Sequence, residues 1–542
     1  MSSLRQPRHL WWVVLVACST GTKVATHESG DLPTADGYTS TTTSTEVPLW
    51  NGTASLDAPG ERAPLAFRLT TSDTQTPLTL TLTGGEHTLT LRFQAHEERN
   101  TFPVLGLHPG TTYAASLQPE GFQAVALEPI TTPELPERFP DVEVLTHRRG
   151  ELEPGLTLLD VKSPNTPDDY VIALSADGHV VWYYEPPTAY GDFHWTDQGT
   201  LFGLSGPGAR EVNVYGEQVA MWSNAPKESS DVAIEVGGLH HEWHHLPDGG
   251  FLGLTARTLE VDAYPTSYGE PNTLAPATLR DAVIVEVDEH GATRSHLALS
   301  EVFDTQRIGY DGLDLLNGGA RDWVHANGVI DTPDGQWIVS ARHQDALAKV
   351  SSDGDVSWIL APHVGWREAY RSDLLAPIGD DFEWPAHQHA PELQPDGTLV
   401  VFDNGRWRAS PYDAADVETS ITYTRVVAYR INEEAMTVEE AWSIPAPDGL
   451  YSPALGDADV QPNTGNVLFN LGFLDEHGGQ LHPTKGWGRK AIRVVEVHPD
   501  APGEVLWDVL LNSDFEEVPE GWKSYRSERV RSLYPSGWLQ DD

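Results

Sequence analysis

Two short motifs alternate from about residue 136 to the end of this chain, and they constrain its fold more than any other feature. The first is a turn, usually centred on Gly, that leads into a strand usually ending in Trp. Its six copies are DGHVVW at Asp177–Trp182, YGEQVAMW at Tyr215–Trp222, EHGATRSH at Glu289–His296, DGDVSW at Asp353–Trp358, NEEAMTVEEAW at Asn432–Trp442 and PGEVLW at Pro502–Trp507. The second is a turn followed by an apolar strand: DQGTLFGL from Asp197, PDGGFLGL from Pro247, PDGQWIVSA from Pro333, PDGTLVVFD from Pro395 and PNTGNVLFN from Pro462. The two halves interleave as hairpins do in four-stranded blades, and such blades bury their faces by stacking around an axis. The pattern predicts an all-β fold with a six-bladed β-propeller over residues 136–542. Units are spaced irregularly, by about 40 to 80 residues against ~40 to 50 in regular propeller families, which predicts extra loops on one face. Loops from every blade meet at one mouth, so residues far apart in sequence can converge there.

Upstream, residues 47–135 alternate at period two, as in LAFRLTT, LTLTLTG and HTLTLRFQA, with turn residues between the runs. That is the pattern of a small β-sandwich. LGLHPGTTYAASL at Leu105–Leu117 resembles the L-x-P-x-T-x-Y segment of fibronectin type III domains. An Ig/fibronectin-III-like β-sandwich is expected here, spacing the next domain away from a membrane.

Residues 1–18 read as a targeting segment. Arg5 and Arg8 supply positive charge, and LWWVVLVA at Leu10–Ala17 is an apolar run too short to span a bilayer. The run ends in LVAC, which resembles the lipobox of bacterial lipoproteins, so lipid is expected on Cys18. Cys18 is the only cysteine, so no disulfide forms within the chain and stability must come from packing. Residues 19–46, rich in Ser, Thr and Gly, read as a flexible tether. Ser19 rather than Asp after the lipid cysteine points to the outer membrane. A nucleic-acid partner is not expected: 34 Lys+Arg against 80 Asp+Glu leave a formal charge of −46, with no basic face to meet phosphates.

Candidate chemistry rests on the 22 histidines. LHHEWHHLPDGGF at Leu239–Phe251 contains His241-Glu242-x-x-His245, the H-E-x-x-H spacing of zinc proteases. Zinc binding would need that stretch on a helix, and the neighbouring glycines and strand-like residues argue against one. RDWVHANGVIDTPDGQWIVSARHQD at Arg321–Asp345 places His325 and Asn327 at the start of one strand and Arg342 and His343 at the end of the next, so that His325, Asn327 and Arg342 can share one mouth. WPAHQHAPELQPDGTLVVFDNG at Trp384–Gly405 adds His387 and His389 before a strand and Asp403-Asn404-Gly405 after the next.

Together DWVHAN, SARHQDAL, DGDVSWIL, QHAPELQPDGTLVVFDNG, YTRVVAYRINEEAMTVEEAW and YSPALGDADVQPNTGNVLFNLG, followed by YRSERVRSLYP, resemble in order the motifs of the bacterial arylsulfate sulfotransferase family over about residues 140–542. The resemblance implies transfer of a sulfuryl group from an aryl sulfate donor to a phenolic acceptor through a sulfohistidine, with no nucleotide sulfate donor and no cofactor or metal. It places the nucleophile on His389, further catalytic groups on His325, Arg342 and His241, and substrate binding on Asn327 and His240. A homodimer is one assembly open to it. Two departures stand out: the disulfide of enterobacterial members cannot form here, and DNGRWRAS replaces a more Gly-rich continuation, which bears on the acceptor.

The chemistry is coherent without the family. A neutral imidazole can attack sulfur and divide one displacement into two easier ones. A guanidinium fork and neighbouring donors suit the sulfuryl oxygens, and a His beside the bridging oxygen can pass a proton to the leaving phenolate. No G-x-x-x-x-G-K-[ST] loop is present to cradle a nucleotide. The competing expectations are a non-catalytic propeller binding a sugar, peptide or phenolic ligand, and a metal-dependent hydrolase built on the same histidines.

Overall fold

Both motifs take fixed places in the sheets of the protein, seen here in a computed structural model. It describes residues 47–164, 166–188, 190–206, 208–413, 422–477, 480–482, 489–513 and 521–540. The expected signal peptide (1–18), lipidation site Cys18 and tether (19–46) lie outside the described residues. Pro48–Asp542 cluster as one compact unit. Strands dominate it, and among the described residues no helix is long and apolar enough to cross a membrane.

The first seven strands form two sheets on a shared core. Ala54–Asp57, Phe67–Thr71 and Thr101–Val104 make one, in the order given; Leu78–Gly84 pairs His87–Phe93 on one side and Thr112–Pro119 on the other, and Val125–Thr131 completes the second. In Thr112–Pro119 every second side chain is buried, so Tyr113 and Leu117 join Leu69, Leu80, Leu82 and Phe93 inside. The Tyr113 hydroxyl accepts the His108 backbone N–H at 2.9 Å.

Six sheets follow, antiparallel except for one short parallel edge strand in the second and one in the fifth. Their innermost strands are Ser527–Val530, Tyr190–Trp195, Trp243–His245, Ala326–Asp331, His389–Leu393 and Asp457–Val460. The turn-then-apolar motif forms the second strand of five sheets: Thr200–Ser205, Phe251–Pro265, Trp337–Ala341, Leu399–Asp403 and Val467–His477. The Trp motif forms the fourth strand of all six: Val180–Tyr184, Gln218–Ser223, Thr293–Ala298, Val356–Leu360, Thr437–Pro445 and Val505–Asn512. Three of the tryptophans have the same hydrogen-bonding pattern. Trp182 Nε1 donates to Val214 O at 2.8 Å, Trp358 Nε1 to Glu433 Oε1 at 3.0 Å and Trp507 Nε1 to Ala176 O at 2.8 Å. In each case the acceptor sits in the turn between the third and fourth strands of the next sheet, so a buried indole fastens one sheet to its neighbour.

The chain closes this circuit on itself. Ser527–Val530, near the C-terminus, pairs antiparallel with Leu156–Lys162 of the first sheet, and Asp141–His147 edges the sixth. Asp457–Val460 touches both His389–Leu393 and Ser527–Val530. Beyond the last strand the chain turns onto the N-terminal sandwich: the Tyr534 hydroxyl accepts Leu105 N–H at 2.9 Å, and the Arg99 guanidinium lies 3.7 Å over Trp538. The long hairpin Phe251–Pro265/Leu274–Val287, of 15 and 14 residues, accounts for much of the irregular spacing.

Candidate active site

The starts of the inner strands bring together side chains more than 280 residues apart in sequence, from His241 to Tyr525. His241 precedes Trp243–His245, His325 precedes Ala326–Asp331, His389 opens His389–Leu393, and Tyr525 precedes Ser527–Val530. Arg342 and His343 lie in a short 3₁₀ turn just after Trp337–Ala341. The rings form a chain of contacts: His241 to His325 at 4.9 Å between centroids, His325 to His343 at 4.5 Å, and His343 to His387 at 5.8 Å. Tyr525 lies between His241 and His389, 6.1 and 6.3 Å from them. Arg342 acts electrostatically on both His241 and His389.

The backbone here is strained. His241, His325, His387, Asp311 and Asp345 all have positive φ, at 65°, 41°, 54°, 69° and 48°. Left-handed conformations cost energy in residues with a side chain, and they cluster where a site requires a particular side-chain direction.

The hydrogen bonds of His389 fix which of its nitrogens is free. Its Nδ1 lies 2.6 Å from Asn404 Oδ1. Asn404 Nδ2 donates to Ser452 O and Leu455 O, both at 2.8 Å, so the amide can turn only its oxygen toward the ring. Nδ1 therefore carries the proton, and Nε2 keeps its lone pair. Gly405 makes this turn possible: its φ is +68°, and a Cβ there would sit 1.7 Å from Tyr423 O. Burial first, and Arg342 second, push the His389 pKa well below its ordinary value. The ring is neutral at neutral pH.

His325 Nδ1 donates to Asp322 Oδ2 at 2.6 Å, which orients the ring and leaves Nε2 for proton exchange. Burial lowers Arg342 to about 10, so it stays charged at neutral pH. One of its terminal nitrogens donates to His343 Nε2 at 2.7 Å and the other to Pro453 O at 3.2 Å. Asp311 Oδ2 lies 3.7 Å from Arg342, 2.8 Å from Arg406 Nε and 3.6 Å from His387 Nε2. Burial opposes ionisation of that carboxyl, but its interactions with His387, Arg406 and Arg342 outweigh it and hold its pKa low. His240 and His241 share a contact of 2.8 Å between their Nδ1 atoms, and burial lowers His240 to about 4. Asn327 Nδ2 donates to Gln388 O at 2.7 Å, so its side chain supports the backbone immediately before His389.

The structure thus brings His241, His325, Arg342 and His389 together, with His240 behind His241 and Asn327 behind His389. Sequence reading gave no role to Asn404, Asp322, Asp311 or Tyr525. Asn404 and Asp322 sit inside the motifs DNG and DWVH, close to a histidine, and Tyr525 opens YRSERVRSLYP. Only the folded chain places Tyr525 between His241 and His389 and brings Asp311 to Arg342.

Three clusters among the described residues have metal-ligand geometry: Asp311/His343/His387, Asp322/His325/His343 and Asp192/His194/Glu242. The first two share His343, whose Nδ1 donates to Asp322 O at 2.5 Å while Nε2 accepts from Arg342, so neither nitrogen is free to bind a metal. In the third, Arg526 Nε lies 3.1 Å from Asp192 and Arg526 Nη2 3.3 Å from Glu242, placing a cation where a metal would go. The H-E-x-x-H stretch runs into the strand Trp243–His245. Glu242 pairs with Arg526 and His245 packs on Phe202 at 4.3 Å; it is not a zinc helix. A cavity of about 850 Å³ lies toward the far ends of the inner strands, where Glu242, Glu392, Asp457 and Asp459 face Arg526, His194 and His244.

In this all-β fold a neutral, buried imidazole within the field of a buried guanidinium has the chemistry of an enzyme that handles an anionic group. Residues 141–514 match the arylsulfotransferase (ASST) family, and the chain belongs to that family. It is 25% identical over 445 residues to the arylsulfate sulfotransferase AssT of Escherichia coli O6:H1, covering 67% of this chain and 70% of the relative. It is 26% identical over 439 residues to AssT of Lelliottia amnigena, with the same coverage. Among solved structures it is similar to a virginiamycin B lyase from Staphylococcus aureus at 8% identity and a TM-score of 0.30, covering 69% of this chain and 99% of that one. The protein is a sulfotransferase enzyme of the kind that moves sulfate from aryl esters to phenols.

Proposed function

We propose that transfer runs by a ping-pong route through His389. Nε2 of the neutral His389 ring attacks sulfur, the bond from sulfur to the aryl oxygen breaks, and the phenolate takes the Nε2 proton of a His325 imidazolium, whose Nδ1–H stays on Asp322. The ring is left as an N-sulfo-imidazolium. An acceptor phenol then returns a proton to His325, its oxygen attacks sulfur, and the N–S bond breaks to restore neutral His389. Arg342 and His241 hold the sulfuryl oxygens as charge redistributes in a loose, in-line transition state. Because the sulfuryl group arrives already activated as an aryl ester, no nucleotide donor is needed. The observation that carries this reading is the fixed tautomer of His389: a nucleophile needs its lone pair aimed and unprotonated, and Asn404 provides that.

The same reading takes the six sheets as blades of one six-bladed propeller, supported by the circuit of strand contacts and the repeated Trp bonds. It takes the N-terminal sandwich as Ig/fibronectin-III-like, supported by the Tyr113–His108 bond. LVAC at residues 15–18 supports a lipid on Cys18, and Ser19 after it supports an outer-membrane location. The test is phenolate release from 4-nitrophenyl sulfate in chelator, with and without a second phenol. The expected result is a stoichiometric burst without acceptor and steady turnover with it, both abolished in His389→Ala. Steady turnover without acceptor would instead mean hydrolysis, and binding without release would mean a ligand-binding module.

A further inference from the structure

Beside the His241/His325 pair lies a second pocket of about 210 Å³, lined by His240, His241, His325, Leu316, Val324 and Arg280, with Ala282, Ala326 and Asp322 completing the wall. Arg280 and Ala282 are two apart on the strand Leu274–Val287, so both point to the same face, the one that lines the pocket. The apolar part of the wall suits an aromatic ring; apolar cavities of about 150 Å³ hold benzene. Arg280 is exposed at the rim, and its guanidinium has no ion pair or hydrogen bond among the described residues. That is unusual in a chain with 80 acidic residues against 34 basic ones. Asp322, the one carboxylate on the wall, is already engaged with His325 at 2.6 Å. An unpaired guanidinium at the open edge of a ring-sized pocket, next to the imidazoles that face sulfur, has the chemistry to receive an anion carried on the ring.

We infer that this pocket holds the aryl group of the sulfate donor, and that Arg280 selects donors whose ring carries a second anionic substituent, such as a carboxylate. The inference rests on the sulfotransferase reading above and adds a substrate class to it. His241 and His325 line both places: the sulfur of the ester lies toward His389, and the ring and its second charge lie toward Arg280.

The test compares 4-nitrophenyl sulfate with the sulfate ester of 4-hydroxybenzoate in wild type, Arg280→Ala and Arg280→Lys, at saturating phenol acceptor. In Arg280→Ala the KM of the carboxylate donor, divided by that of the nitrophenyl donor, is expected to rise about fivefold, the scale of one partly exposed charge pair. The ratio of kcat values should hold, and Arg280→Lys should restore most of the KM ratio. Equal KM changes for both donors, or none, would overturn the assignment. Calorimetric titration of both esters reads the same preference without chemistry. If wild type binds the carboxylate ester better, loses that preference in Arg280→Ala and yet transfers neither sulfate, then the pocket assignment stands and the sulfotransferase reading fails.

Discussion

At the scale of single residues, the site depends on partners that hold histidines in one protonation state. Asn404 is the clearest case, because its two amide donors are committed to backbone carbonyls and only its oxygen meets His389 Nδ1. Replacing it with Asp puts a formal charge where a neutral oxygen stood. A carboxylate beside an imidazole favours the charged ring, so the His389 pKa should rise from its depressed value. More of the ring is then protonated at Nε2 and unable to attack. Asn404→Asp should lower kcat/KM at pH 7 by about 10²-fold, the scale of a mispositioned proton, and move the acid limb of its pH profile upward. The check is a profile of kcat/KM from pH 5 to 9; a parallel loss at every pH would show that only packing was disturbed. The histidines themselves were legible in the sequence because they lie in short runs beside strand-forming motifs. Their supports were less so. Asp322 is three residues from His325, but Asp311 reaches Arg342 and His387 only through the folded chain, and no local pattern records the left-handed φ of His241 or His325.

At the scale of strands and sheets, the repeated Trp is the element that joins neighbours. Trp507 and Trp182 are fully buried, and each indole N–H serves a backbone carbonyl of the next sheet. Phe in place of either keeps most of the apolar contact but leaves a buried carbonyl with one bond fewer. Such a loss costs about 1–3 kcal/mol. Trp507→Phe and Trp182→Phe should each lower the urea midpoint by a corresponding amount with no change in the slope of the transition, measured by chemical denaturation. A steeper or shallower slope would mean that the sheets no longer unfold as one unit. Here the sequence was informative, because the turns and the period-two strands are local signals that survive into the sheets. What it did not reveal was the bonding between sheets. The motif marks the fourth strand, but its acceptors, Val214, Glu433 and Ala176, lie in the turns of the following sheets. The return of Ser527–Val530 to Leu156–Lys162 is equally non-local, joining residues more than 360 positions apart.

At the scale of the whole molecule, two long-range effects shape behaviour: the junction of sandwich and sheets, and the net charge. At the junction His108 stacks on His87 at 3.9 Å and on His179 at 4.3 Å. Burial, then interaction with His87 and His179, depresses His108 to about 4. A depressed imidazole binds fewer protons folded than unfolded. Its contribution to stability is therefore intact above about 6.5 and lost as pH falls from there toward about 4. In His108→Phe that loss is absent, so the variant should gain stability relative to wild type across this window, read as a difference of Tm values against pH. An unchanged difference would show that the stack does not hold the ring neutral. Charge acts over longer distances. A body with formal charge −46 repels an anionic aryl sulfate, while Arg342, Arg406 and Arg280 attract it only near the site. At low salt the body dominates, because screening extends to about 30 Å at 0.01 M but only about 8 Å at 0.15 M. Raising ionic strength across that range should therefore increase kcat/KM for a monoanionic donor and leave that for a neutral phenol acceptor unchanged, measured with chloride salts at fixed pH. A decrease for the donor would mean that the local arginines control its approach, and Arg280→Ala should then remove most of the salt dependence.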